Sequence, residues 1–398
     1  MINPSDELNK TTIKVIGLGG GGSNAIDRMM QVGIAGVEFI TANTDLQALA
    51  RSKAPVKVKL GPALTRGLGA GGKPGVGARA AEESYDDLIA ALRGADMVFL
   101  TAGMGGGTGT GAISVAAQAA REVGALTLAV VTMPFSFEGT TRERNANEGI
   151  VRLREQVHTL ITVPNDRLLT CTSPGTTLQL AFCVADDVLR QGVQGIAELV
   201  TRPGLINLDF ASVRQMIEMS GGAVMAVGHG KGEGRAVEAA RRALSHPLLD
   251  ADAVRYAAGV LVNFTGGPDM TLLEVTEAAD LIRTQASPDA YLLFGTAVDE
   301  TMTDRVQATL VATGVGAQPI SDVLGEGADE AIVRRRQVSS WMPGAPERTR
   351  VEAQPASQPA AQRTYWSSGD SLDDTRAGST STRGSLDVPA FLRRGGPR

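Results

Sequence analysis

The sequence predicts an α/β protein. A doubly wound, mostly parallel sheet fills its first half, a long helix follows, then a smaller α/β unit with a mixed sheet, and last a disordered tail. Three observations predict this. Apolar strand-like runs alternate with helical stretches up to about residue 169. One unusually long helical pattern spans about 176–200. Beyond about 317 the apolar periodicity disappears.

In the first half the strand-like runs are IKVIG (13–17), VEFITAN (37–43), DMVFLTAG (96–103), LTLAVVTMPF (126–135) and TLITVPN (159–165). They are rich in Val, Ile and Leu and lack strict alternation, as expected of parallel strands covered on both faces. NAIDRMMQVG (24–33) and AISVAAQAAREVG (112–124) read as helices between them. Along the long stretch, Leu178, Phe182, Ala185, Leu189, Ile196 and Leu199 recur at helical spacing. Pro174-Gly175 precedes it and Arg202-Pro203-Gly204 closes it. Such a helix either links two units or is an ordinary core helix.

The next part reads as strand 223–230, helix 234–245, strand 259–267, helix 271–285, and strands 290–299 and 305–314. Two final strands with no helix between them imply a mixed sheet. After 317, Pro, Ser, Thr, Gln, Gly and Arg dominate, and too little apolar surface remains to offset ordering entropy. The last residues, LDVPAFLRRGGPR (386–398), regain an apolar cluster beside arginines.

Composition excludes several classes. The 398 residues are 43% hydrophobic and 20% charged, ordinary values for a globular chain. A net charge of −5, with no block of Lys or Arg, argues against nucleic acid as a partner. No apolar run is long enough to insert in a membrane, and MINPSDELNK lacks the apolar stretch of a signal peptide. Cys171 and Cys183 have no metal-ligand spacing around them and read as two reduced thiols.

The chemistry-bearing motifs are glycine loops. IKVIGLGGGGSNAI (13–26) runs strand, glycine loop, helix start, with Gly17, Gly19 and Gly22 at G-x-G-x-x-G spacing. Without Cβ atoms a backbone can approach a phosphate, and helix-end N–H groups point at it. Asp45 lies where a ribose-binding acid would follow such a loop. This loop alone fits a nicotinamide dehydrogenase, another nucleotide site or a structural turn. A second loop, GGGTGTG (105–111), and a third glycine-rich stretch, TRGLGAGGKPGVG (65–77), exceed what a dinucleotide enzyme needs. A Walker G-x-x-x-x-G-K-[ST] sequence is absent, and Lys73 is followed by Pro74. Together the loops suit a triphosphate held by backbone dipoles and helix N-termini.

GGGTGTG resembles the signature loop of the tubulin superfamily in the form found in the FtsZ family of bacterial cell-division proteins. GLGGGGSNAIDRM (17–29), ANTDLQAL (42–49), TRGLGAGGKPGVG (65–77), PFSFEGTTR (134–142), TLITVPNDRLL (159–169), QGVQGIAELVTRPGLINLDFA (191–211) and GVLVNFTGG (259–267) resemble that family too, in its order. The resemblance covers about 11–316 and the terminal peptide.

It implies a flexible N-terminus (1–10), a GTP-binding domain (11–175), a central helix (176–200), a C-terminal domain (201–316), a disordered linker (317–385) and a partner-binding peptide (386–398). It implies GTP or GDP with Mg2+. Gly20, Gly21, Gly22, Ser23 and Asn24 would line the first phosphate loop, Asn24 reaching the guanine. Ala70, Gly71 and Gly72 would sense the terminal phosphate, and Gly107, Thr108 and Gly109 would hold the β-phosphate. Glu138 and Arg142 would meet ribose and phosphate, with Asn165 near the sugar. Phe182 would stack on the base, and Asp186 would accept from guanine N1–H and N2. Pattern alone leaves plainer readings open: Phe182 as core, Glu138–Arg142 as a solvated pair, Asp186 and Asp187 as a solvated helix face.

The resemblance further implies head-to-tail self-assembly into filaments of the cytokinetic ring, at the cytoplasmic division site. GTP would be hydrolysed across the subunit contact by the loop NLDFAS (207–212). Asn207 and Asp209 match the family, but Ser212 stands where it has a second aspartate. A serine carries no charge and is a poor base, so the alternative is a companion paralogue with weak or no hydrolysis. Lys73, where Asn is commoner, is a smaller departure. The end peptide would dock on membrane-tethering division proteins through Asp387, Val388, Pro389, Ala390, Phe391, Leu392, Arg393 and Arg394.

Overall fold

The computed structural model describes residues 11–315 other than 35, 171, 172, 174, 203–205, 207, 220, 250 and 251. Asn207, the N-terminus, the linker and the 386–398 peptide lie outside the described residues.

The strands are β1 (Ile13–Leu18), β2 (Val37–Asn43), β3 (Val56–Lys59), β4 (Met97–Gly103), β5 (Leu126–Met133), β6 (Thr159–Pro164), β7 (Gly221–Lys231), β8 (Gly259–Gly266), β9 (Tyr291–Val298) and β10 (Arg305–Val315). The helices are α1 (Gly19–Val32), α2 (Leu46–Arg51), α3 (Pro62–Thr65), α4 (Pro74–Glu83), α5 (Tyr85–Leu92), α6 (Thr108–Glu122), α7 (Thr140–Arg154), α8 (Asn165–Leu169), α9 (Leu178–Thr201), α10 (Phe210–Glu218), α11 (Arg235–Leu244) and α12 (Leu272–Gln285).

All strands join one sheet in the order β3-β2-β1-β4-β5-β6-β7-β10-β8-β9. From β3 to β6 every pairing is parallel. The order reverses between β1 and β4, which makes the gap at their C-terminal ends a topological switch point. Successive residues of the central strands feed opposite cores. Val15, Phe99, Leu128 and Val130 face the side that carries α1 and α9. Ile16, Leu18, Val98, Leu100, Ala129 and Val131 pack with the alanines of α6. Burial on both faces is why these strands read as continuous apolar runs.

The mixed sheet expected downstream is present: β10 runs antiparallel to both β7 and β8, while β8 and β9 are parallel. The two halves are continuous, however, because β6 pairs with β7 through Thr159–Gly221, Leu160–Gly222 and Ile161–Ala223. α9 packs along this joint. Thr177 caps it by accepting from the Leu180 N–H. Its buried Glu198 accepts from Gln194 (2.8 Å) and from Thr265 of β8 (3.2 Å), with Arg202 3.5 Å away. The charge is thus hydrogen-bonded and paired, as a buried carboxylate must be.

Candidate nucleotide site

β1 and β4 are neighbours, so the loops that leave them enter α1 and α6 side by side. Gly19 takes a φ of +70°, and a Cβ there would lie 2.7 Å from the Gly109 nitrogen. Only glycine lets the two loops meet this closely. Neither helix has a side-chain cap or an acidic residue in its first turn. The first N–H groups of each, those of Gly20 and Gly21 and of Thr108 and Gly109, have no partner within their helix. Two helix dipoles therefore present positive ends to one place. The third loop closes on it: a Cβ at Gly107 would sit 2.9 Å from both Ala70 Cβ and the Lys73 nitrogen. Gly71 and Gly72, beside Ala70, are exposed. Asn145 of α7 bridges the Gly72 and Gly105 carbonyls, each at 3.4 Å. The Thr108 and Thr44 hydroxyls lie 2.6 Å apart.

A second group of candidate residues gathers where α9 begins. The Glu138 carboxylate pairs with Arg142 and accepts from the Phe135 N–H at 2.9 Å. Phe182 meets the buried Phe135 edge-on, centroids 5.3 Å apart, and the exposed Phe137 stacks on Phe135's ring at 5.1 Å. Asn165 is buried with no hydrogen bond to its side-chain oxygen, and the buried Ser23 hydroxyl is likewise unpartnered. Asn24, one residue on, is exposed at the start of α1. Asp186, half-buried, has its carboxyl pushed up to about 7. Burial is the main cause and Asp187 adds to it, while Arg28 opposes them.

The acidic loop lies elsewhere. Asp209 caps α10, its Oδ1 accepting from the Ser212 N–H at 2.7 Å. That contact, with the Ser212 hydroxyl, holds the Asp209 carboxyl below its usual range. Ile206, just before, is tied to β9 through Thr296. Between Asp186 and Thr201 run about 22 Å of helix axis at ~1.5 Å per residue. The structure therefore brings Asp209 and Ser212 together with each other but not with the glycine loops.

The Tubulin/FtsZ family GTPase domain matches residues 12–173, and the FtsZ family C-terminal domain matches residues 221–316. The chain belongs to the tubulin/FtsZ family. An empty FtsZ dimer from M. jannaschii is 43% identical with a TM-score of 0.75, over 80% of this chain and 94% of that one. CetZ2 from Haloferax volcanii, in a GTPγS-bound protofilament, is 22% identical with a TM-score of 0.69, over 82% of this chain and all 100% of that one, and supports the fold alone. Membership brings a GTPase domain that binds GTP or GDP.

Several side chains around this family site have no motif of their own. Arg28 beside Asp186, Asn145 across two loops and Thr44 against Thr108 are all contacts between distant segments. Their one sequence signal was position: Arg28 and Thr44 lie inside stretches that resemble the family. Among the described residues no helix is long and apolar enough to cross a membrane.

Proposed function

We propose that this chain is a GTPase that assembles head to tail and hydrolyses GTP between copies. One observation carries the reading: the glycine loops and the Asp209 cap lie at opposite ends of α9, so a single chain cannot apply both to one nucleotide. A second copy, stacked end on end, supplies the loop. Apolar exposure agrees, with Leu68 85% and Phe137 57% exposed near the nucleotide loops and Leu272 and Leu273 exposed at the start of α12. That an FtsZ relative forms a dimer is consistent with it.

In this reading Gly20 to Ser23, Ala70 to Gly72 and Gly107 to Gly109 line the phosphates, which the loops' free backbone N–H groups hold. Glu138 and Arg142 meet ribose and phosphate, with Asn165 near the sugar, and Asn24, Phe182 and Asp186 meet the guanine. Among the described residues no group of three His, Cys, Asp or Glu side chains gathers to hold a metal. Mg2+ would draw its oxygens from phosphate and water, as it commonly does. Asp209 would polarise water on the neighbour's nucleotide, and Asn207 of the same loop would assist. Phosphate release and light scattering in GTP and Mg2+ test this. Both should appear together with GTP and not ATP; turnover without assembly contradicts it.

A second reading is a slow or inactive companion paralogue. It is favoured by the uncharged Ser212 and by the engagement of Asp209 with Ser212's own N–H. A role in the division ring, in the cytoplasm, follows from the family resemblance. So does docking of Asp387–Arg394 on membrane-tethering proteins. Deleting 386–398 should abolish recruitment to tethered membranes while filaments still form in solution; filament loss would overturn that assignment.

A further inference from the structure

Arg28 has no role in the reading above, yet among the described residues it is the cation nearest the base-reading acid. It sits on α1, one turn beyond Asn24, and its Nε lies 3.9 Å from Asp186 Oδ2. One terminal nitrogen donates to Cys183 Sγ at 2.8 Å, while the buried Nε has no hydrogen-bond partner. The neighbouring acids are engaged elsewhere. Asp27 accepts from Ser52 and the Lys53 N–H, and Asp187 is held by Arg190 and Gln191. Arg28 from α1 and Asp187 from α9 are the charges that act on Asp186. Only Arg28 favours its ionised form.

The ionisation state decides which purine fits. A carboxylate offers two acceptors, matching the N1–H and N2–H donors of guanine. A protonated carboxyl offers one donor and one acceptor, matching adenine's N1 acceptor and N6–H donor.

We infer that Arg28 is a specificity-determining positioning residue: held beside Asp186 by Cys183, it keeps that carboxylate charged and so makes the site prefer guanine over adenine. The inference rests on the guanine-site reading. Burial works against Arg28, leaving the Asp186 carboxyl at about 7. Discrimination should therefore rise with pH through neutrality, as the carboxyl loses its proton.

The test is the affinity of GDP and ADP for the full chain between about pH 6 and about pH 8.5, by competition with a fluorescent nucleotide. The ADP/GDP ratio of dissociation constants is the readout, and each unit of carboxyl shift moves it by up to about tenfold. In the unmodified chain the ratio should climb with pH. Arg28→Met should displace the climb to higher pH, losing at least about tenfold of discrimination at neutrality. Arg28→Lys should restore most of it. A ratio lowered equally at every pH would make Arg28 a packing residue and overturn the inference. So would a pH-independent ratio in the unmodified chain, which needs no variant to fold. If Asp186→Asn abolishes the preference and Arg28→Met leaves it intact, only the role of Arg28 falls. If the unmodified chain never prefers GDP, the guanine-site reading falls with it.

Discussion

At the scale of single residues, the proposed part of Asp186 in recognition works against stability. Its carboxyl is raised from 3.8 to about 7, so between those values the folded chain keeps a proton that the unfolded chain releases. The contribution of this group to stability therefore declines as pH rises through that window. Above it, the empty site carries a desolvated charge. Asp186→Asn should raise the melting temperature of the nucleotide-free protein at about pH 8 by a few degrees, ~2–4 °C per kcal/mol recovered. It should have little effect at about pH 5. A lower melting temperature at about pH 8 would mean that the Arg28 pair outweighs desolvation. Ser212 sets the second expectation. A carboxylate there would stabilise charge that develops only in the transition state, an effect read in kcat. Ser212→Asp should raise phosphate release at least about tenfold, or ~1.4 kcal/mol of barrier, at matched polymer mass. Equal turnover would leave Asp209 sufficient by itself.

Among the elements, α4 and α6 build the proposed phosphate cradle by backbone contact. A Cβ at Gly77 would lie 2.2 Å from the Gly107 carbonyl oxygen, so these segments cannot separate without moving the loop. Gly77→Ala should weaken GDP binding more than it lowers thermal stability, and unchanged affinity would show that the loop tolerates the shift. The glycine loops were legible in the sequence because strand, glycine run and helix start are contiguous. Asp209 as the cap of α10 was not, since a helix of nine residues carries too short an apolar period to mark its start. β3 is faint in the sequence because VKVK has just one buried position, Val58. α7 is faint because a charged run, TTRERNANEGIVRLR, buries only Ala146, Gly149 and Leu153. The main contacts of the candidate base site were invisible for a different reason. Arg28 and Cys183 stand 155 positions apart, and nothing local announces their meeting.

Across the whole molecule, the two halves share a sheet through a joint of only three residue pairs between β6 and β7. No periodicity reveals so brief a pairing between segments this distant in sequence. α9 spans the joint, with the candidate base residues at its start and the acidic loop beyond its end. This separation is the reason the proposed chemistry needs two copies, and mixing variants tests it most directly. Gly20 has open space around its Cβ position, so Gly20→Glu should fold and fill the phosphate cradle with its own carboxylate. Asp209→Ala should bind GTP but offer its neighbour no acid. Each variant alone should release little phosphate. Mixed in equal amounts, they should regain turnover, because the nucleotide of one meets the intact loop of the other. A mixture as inactive as its components would contradict hydrolysis between subunits.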